Sequence, residues 1–367
     1  MEHVHPCSKP MYILACAGTL AASVLFIASA ATCEPAPRDF SLKAPNAKAV
    51  EISAEWAMTN IPMRRAEDGT WSVTLASLPA GVWTYSFLVE GLNVLDPRNP
   101  EINPQHSELK KNLLHVPSTP PALWDFQDVP HGVIHAHDYP SKAMGVRRQL
   151  LVYTPGGYAD DPARRYPLLV LQHGAGGCQS SWVAHGRANW IFDNLIAAGK
   201  AKPMVVVMLD GHSSGAYQRQ DFKSVEPFSR ELLEDALPLV EKNYRLAEGP
   251  QNRAIVGLSM GARQSVTVGL EHLDLFGWVG GFSAIDYPGP DTLSPLLASP
   301  EATNKKLKLL WLAWGSADAR AVKAGTPFVN ELKKAGIKLQ WKVTEGGHAW
   351  PVWIGYLTEL VPLLFQR

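Results

Sequence analysis

Arg253-Ala254-Ile255-Val256-Gly257-Leu258-Ser259-Met260-Gly261-Ala262 decides how the rest of the chain is read. An apolar run, Arg253–Val256, feeds a G-x-S-x-G motif, and Ala262–Leu270 reads as the start of a helix. Five residues of this kind recur by chance, so the strand–turn–helix context carries the weight. The turn is so tight that side chains at the flanking positions would strike neighbouring backbone, and glycine stands at both. The serine then sits at the head of a helix, where backbone N–H groups and the helix dipole favour developing negative charge. The pattern predicts a nucleophile elbow with Ser259 at its tip. The other reading is an ordinary Gly-rich turn with a passive serine.

Outward from this stretch the pattern repeats. Tyr166–Leu171, Met204–Leu209 and Leu309–Ala313 are continuous apolar runs, as expected of strands buried on both faces. Between them, Ser229–Tyr244 places Leu232, Leu233, Ala236, Leu237 and Val240 at helical spacing, and Trp190–Ala198 does so over a shorter span. Strands alternating with helices predict a doubly wound, mainly parallel sheet, and with the elbow an α/β-hydrolase.

A serine hydroxyl needs a base. In such hydrolases the chain order is serine, acid, histidine. His272 and His348 are the two histidines after Ser259. His272 falls at the end of the helix that follows the elbow. His348, in Glu345-Gly346-Gly347-His348-Ala349-Trp350, follows the expected strand Leu339–Val343, in a loop where ligands bind in such sheets. Asp318, after the strand Leu309–Ala313, is the expected acid; Asp286, after the run Trp278–Ile285, is its rival. The acid would accept Nδ1–H from the histidine and stabilise the imidazolium.

Two backbone donors are needed for an oxyanion hole. Met260 N–H is one. The other is expected from the Gly-rich loop Gln172-His173-Gly174-Ala175-Gly176-Gly177, from Ala175 or Gly174. A phosphate loop is excluded there, because no Lys-Ser/Thr follows. His173 precedes the nucleophile and reads as support for the loop. Asp210-Gly211-His212 is expected to border the cleft. Trp350 and Trp353 flank His348; one reads as core and the other as the wall of an acyl pocket. No C-x-x-C or Cys/His cluster points to a metal, and the chemistry calls for no cofactor.

The first third is of another kind. Met11–Ala28 is nearly all apolar and ends in Ala28-Ser29-Ala30, the pattern of a secretory signal peptide over residues 1–30. An uncleaved anchor is the alternative, and Cys33 leaves a lipoprotein as a minor one. Export is thus expected, to the periplasm or the medium. Residues 31–45, rich in Pro and charge, read as a linker. Short alternating runs follow: Val50–Ser53, Thr70–Leu75, Val82–Val89 and Asn112–Val116. Separated by Gly, Pro and Asp, they predict a small immunoglobulin-like β-sandwich over residues 46–118, with the hydrolase over residues 119–367. Cys178 reads as a small buried residue. Lys+Arg and Asp+Glu both number 34, so no global basic field points to nucleic acid.

The sequence resembles carbohydrate esterase family 1, the esterase-D-like group of feruloyl and acetylxylan esterases. The resemblance lies in Gly132–Tyr139, Ser141–Tyr153, Leu171–Gly177, Asn194–Ala201, Gly257–Gly261 and Glu345–Trp353. It implies the family's triad positions for Ser259, Asp318 and His348. It also implies hydrolysis of acyl esters on plant cell-wall polysaccharide, feruloyl esters of arabinoxylan first. The N-terminal part is similar to family-48 carbohydrate-binding modules in Asp68–Trp71, Tyr85–Phe87 and Asp96–Asn99. An acetylxylan esterase, a siderophore (enterobactin-type) esterase and a non-catalytic glycan-binding protein are the alternatives. The expected partner is a polysaccharide or a small ester, with no membrane contact once the leader is cleaved.

Overall fold

Strand-forming runs buried on both faces build the inner strands of the central sheet of this computed structural model. It describes residues 37–105, 110–213 and 224–366. The expected leader and Cys33 lie outside the described residues. The sheet has eight strands: β1 (Val133–Ser141), β2 (Val146–Thr154), β3 (Leu168–Gln172), β4 (Val205–Leu209), β5 (Arg253–Leu258), β6 (Trp278–Phe282), β7 (Leu309–Gly315) and β8 (Gln340–Thr344). Their order is β8-β7-β6-β5-β3-β4-β2-β1. Strands β3 to β8 pair in parallel, while β2 runs antiparallel to both β1 and β4.

The period of two sorts the inner strands' side chains between two cores, while the edge strands β1 and β8 are largely exposed. Leu168, Val170, Val205, Val207 and Ile255 enter one apolar cluster. Leu169, Leu171, Val206, Met208 and Val256 enter the other. Each fully buried aliphatic side chain contributes about 1.5–3 kcal/mol, so neither face can be left to water. Helix α1 (Ala188–Ala197) covers the second cluster with Ile191, Phe192 and Leu195. Helix α2 (Met260–Glu271) covers the first with Val266, Val268 and Leu270, and α3 (Ala319–Lys334) joins it with Phe328 and Leu332. Helix α4 (Trp350–Leu360) returns to the second. The expected helix over Ser229–Tyr244 is interrupted by a π-helical stretch, Glu231–Ala236, flanked by α-helix at Glu226–Arg230 and Leu237–Asn243. Its first residue, Glu231, is wholly buried against Arg148.

Two antiparallel sheets precede this unit. Arg38–Lys43, Thr70–Leu75 and Arg64–Arg65 form one; Ile61–Pro62, Val50–Ala54, Gly81–Val89, Leu92–Val94 and Asn112–Val116 form the other. Phe40, Leu42, Ile52, Trp71, Tyr85 and Phe87 are buried together in one cluster. Residues 38–43 correct the expectation of a linker. They alternate, with Phe40 and Leu42 inward, and they pair with Thr70–Leu75 over six positions. The described residues belong to one compact unit. None of their helices is long and apolar enough to cross a membrane.

Candidate active site

Ser259 follows β5 directly and occupies φ 52°, ψ −115°, a left-handed backbone that a non-glycine residue adopts at a cost of about 1–3 kcal/mol. Backbone contacts hold it there. A Cβ on Gly257 would lie 2.3 Å from the carbonyl oxygen of Gly261, and one on Gly261 would lie 2.2 Å from that of His173. Ser259 N–H donates to Phe282 O at 2.8 Å, which ties the turn to β6.

The loops after β7 and β8 are clamped together. Ser316 N–H donates to Thr344 O at 2.7 Å, and Ala317 N–H to Gly346 O at 2.9 Å. Gly315 permits this, since a Cβ there would meet Gly346 O at 2.2 Å. The clamp brings His348 to Asp318, with Nδ1 and Oδ2 2.5 Å apart. His348 Nε2 lies 2.9 Å from Ser259 Oγ. Asp318 is buried and divides its oxygens: Oδ2 faces His348, while Oδ1 caps α3 by accepting from Ala321 N–H at 3.2 Å. The rival Asp286 is exposed and pairs with Arg263 at 3.2 Å. His272 sits at the C-terminal cap of α2, as its position in the sequence implied.

Met260 is the first residue of α2, where an N–H has no acceptor within the helix. Gly174 faces the nucleophile closely: a Cβ on it would lie 3.1 Å from Ser259 Cβ and 2.6 Å from Leu258 Cδ1. The loop is braced from beneath. His173 Nδ1–H donates to Gly174 O at 2.7 Å, and its Nε2 accepts from Gly211 N–H at 2.9 Å. Burial pushes the His173 pKa down, in keeping with this neutral tautomer. His212 Nδ1 lies 2.9 Å from Asp210 Oδ1, and its Nε2 accepts from Gly176 N–H at 3.2 Å. Asp210-Gly211-His212 thus braces the loop, and it is not among the described residues lining the cavity that the sequence expected it to border. His173, Asp210 and His212 do gather ligand-type atoms within 4.8 Å of one another. Both imidazoles are engaged on both ring nitrogens by this network.

Gly174, Ala175, Ser259, His348, Trp350 and Trp353 line one cavity of about 380 Å³. Both tryptophans are buried, so each serves the core and the wall at once. Trp353 meets the His348 ring edge-on at 5.0 Å, and Trp350 stacks on His185 at 4.6 Å. The sandwich also reaches the cavity through Glu55, a residue sequence reasoning missed. His185 Nε2–H donates across to the sandwich, to Val82 O at 3.2 Å.

An eight-stranded sheet in this order, with a strained serine after the fifth strand beside a His–Asp pair, defines an α/β-hydrolase. The chain belongs to the family described as "Putative esterase", which matches residues 141–364. It is 29% identical over 341 residues to an endo-1,4-beta-xylanase/feruloyl esterase of Xylanibacter ruminicola, covering 89% of this chain and 44% of that protein. The chain spans from 32% to 54% of the length of the curated relatives it matches. Among solved structures, a ferulic acid esterase of Anaeromyces mucronatus aligns with TM-score 0.57 and 22% identity, covering 66% of this chain and 93% of that one. The enterobactin esterase of Shigella flexneri aligns with TM-score 0.63 and 18% identity, covering 90% and 93%.

Proposed function

We propose that the chain is a serine carboxylesterase that hydrolyses acyl esters of plant cell-wall polysaccharide, feruloyl esters of arabinoxylan in particular. The observation that carries this is His348 bridging Ser259 and Asp318 at the wall of the cavity. Ser259 Oγ attacks the ester carbonyl while His348 Nε2 takes its proton. Asp318 holds the Nδ1–H tautomer and stabilises the imidazolium. The N–H groups of Met260 and of Ala175 or Gly174 receive the oxyanion. His348 then protonates the leaving sugar oxygen, and water, activated by the same imidazole, releases the acid from Ser259. Trp350 and Trp353 wall the acyl pocket. The likeness to the Xylanibacter protein, which runs over 89% of the chain, supports the feruloyl substrate.

The strands before residue 119 belong to this proposal as a carbohydrate-binding-module-like domain, extended back to Arg38 by its first strand. The apolar stretch Met11–Ala28 followed by Ala28-Ser29-Ala30 supports reading residues 1–30 as a leader and the protein as exported.

A second reading, siderophore esterase, draws on the Shigella structure, which covers 90% of the chain where the Anaeromyces one covers 66%. Against it, Arg320 is the one Arg or Lys among the described residues lining the cavity, and an anionic iron–catecholate calls for several cations. The test is kcat/KM on methyl ferulate, acetylated xylan and enterobactin, with Ser259→Ala and fluorophosphonate labelling of Ser259. Ferulate release that vanishes in the variant supports the first reading. Acetate release alone moves the assignment to acetylxylan, and enterobactin cleavage alone moves it to the siderophore. An unlabelled Ser259 with no turnover makes the protein a binding module.

A further inference from the structure

Glu55 belongs to the N-terminal sandwich, yet it lines the same cavity as Ser259, His348 and Trp350. It sits one residue past the strand Val50–Ala54, where its backbone N–H donates to Thr84 O at 2.9 Å. Its carboxylate is held by one oxygen. Oε2 accepts from Thr84 N–H and from Thr84 Oγ–H, both at 3.1 Å. The described residues offer Oε1 no hydrogen bond; the side chain is 26% exposed, on a residue that as a whole is exposed at the rim of the cavity. A carboxylate so placed is fixed in direction, partly withdrawn from water and able only to accept.

The charges around it do not cancel it. His185 Nε2 lies 3.9 Å from Oε2, but that N–H is given to Val82 O at 3.2 Å. Burial pushes the His185 pKa down to about 3, so the ring is neutral near pH 7 and supplies no positive charge. Arg187, close to His185, is paired with Glu101 at 2.6 Å. Arg320, across the lining, is exposed, and its field is screened by solvent.

We propose that Glu55 is a substrate-recognition residue of the catalytic cavity, which accepts a hydrogen bond through Oε1 from a hydroxyl of the ester substrate. This rests on the esterase reading and deepens it. The sandwich then sets part of the specificity, with selection for hydroxylated esters and against anionic ones. The hydroxyl is either on the acyl group, as in a phenol, or on the sugar alcohol.

Glu55→Gln tests this with little change of shape. Thr84 N–H requires an oxygen, so the amide must turn its NH2 toward the cavity, and an acceptor becomes a donor. Three esters are measured on each enzyme: methyl ferulate, methyl 3,4-dimethoxycinnamate and a feruloyl arabinoside. The wild type is expected to favour methyl ferulate over the dimethoxy ester, or the arabinoside over methyl ferulate. Glu55→Gln is expected to reduce one of those ratios about tenfold, the worth of a hydrogen bond to a charged group. A drop in the first ratio assigns the hydroxyl to the phenol, and a drop in the second to the sugar. Ratios taken within one enzyme are insensitive to a lower active fraction, and Glu55→Asp, one methylene shorter, replaces the Gln variant if that does not accumulate. Turnover of all three esters with both ratios unchanged overturns this inference and leaves the esterase reading standing. No turnover by the wild type, with Ser259 unlabelled, overturns both.

Discussion

Gly261 and His173 meet through backbone alone: a Cβ added to Gly261 would come within 2.2 Å of the His173 carbonyl oxygen. The last glycine of the G-x-S-x-G motif thus sets the spacing between the nucleophile turn and the loop after β3. Both walls of the proposed oxyanion hole depend on that spacing. A methyl group cannot be absorbed by a side chain moving aside, because the obstacle is main chain.

Gly261→Ala is therefore expected to lower stability by about 1–3 kcal/mol, as overpacking does. It should lower kcat/KM by about 100-fold or more, as a displacement near 1 Å would. Gly289→Ala is the control, since nothing lies within 4 Å of a Cβ there. Urea melts and kcat/KM on methyl ferulate check both variants. An active Gly261→Ala enzyme would contradict the shared-backbone account.

Asp318 has two tasks that substitution can separate. Its Oδ1 caps α3 through Ala321 N–H, and its Oδ2 meets His348. Asn caps a helix about as well as Asp. Asp318→Asn can keep its oxygen on Ala321 and turn NH2 toward Nδ1, which favours the wrong imidazole tautomer. The expected result is a fall in kcat of about 10⁴-fold with little change in stability. Asp318→Ala should lose the same activity and about 1 kcal/mol more stability, through the cap. Equal melts for the two variants would show that the cap contributes nothing.

How much of this was legible depended on how local each signal is. Ser259 was readable because its turn, strand and helix lie within about twenty residues. The chain order of hydrolases then left few choices for the acid and the histidine. Arg38–Lys43 was misread because Pro37 and Pro45 and the charges at Arg38, Asp39 and Lys43 hid the alternation of Phe40 and Leu42. Glu55 was invisible for a different reason. Nothing near it in the chain signals a cavity, and only the packing of the sandwich brings it to the wall that carries His348.

Acid should weaken the fold through His185. Burial holds its folded pKa near 3, against about 6.5 in an unfolded chain. Between those values the unfolded state binds the proton and the folded state does not. Stability is therefore full above pH 6.5 and falls as pH drops toward 3, by about 1.4 kcal/mol per unit for this one group. His173, also pushed down by burial, adds to the same slope. His185→Gln is expected to be less stable at pH 7, through loss of the stack on Trp350, but to show a shallower decline between pH 6.5 and 4. Denaturant melts across that range measure it, and an unchanged slope would sink the assignment.

Arg148 and Glu231 form the most enclosed ion pair of the molecule's described residues, with side chains 3% and 0% exposed. The guanidinium grips the carboxylate at two points, 2.9 and 3.0 Å, and gives another N–H to Asp210 O at 2.6 Å. Tyr139 O–H adds a third donor to Glu231 at 2.8 Å. This one side chain joins β2, the π-helical turn and the residues that brace the Gly-rich loop. Removing one member of such a pair leaves the other charge buried without compensation, which costs about 3–5 kcal/mol. Arg148→Met should therefore lower stability by that amount, and Arg148→Lys by less, because an ammonium keeps the charge but not the two-point grip. The double variant Arg148→Met/Glu231→Leu removes both charges and should recover much of the loss. Loss of activity is expected to outlast that recovery, since the double variant does not restore the contact between Arg148 and Asp210 O. Melts and kcat/KM on the three variants separate the two effects: activity restored in step with stability would mean that the pair serves the fold alone.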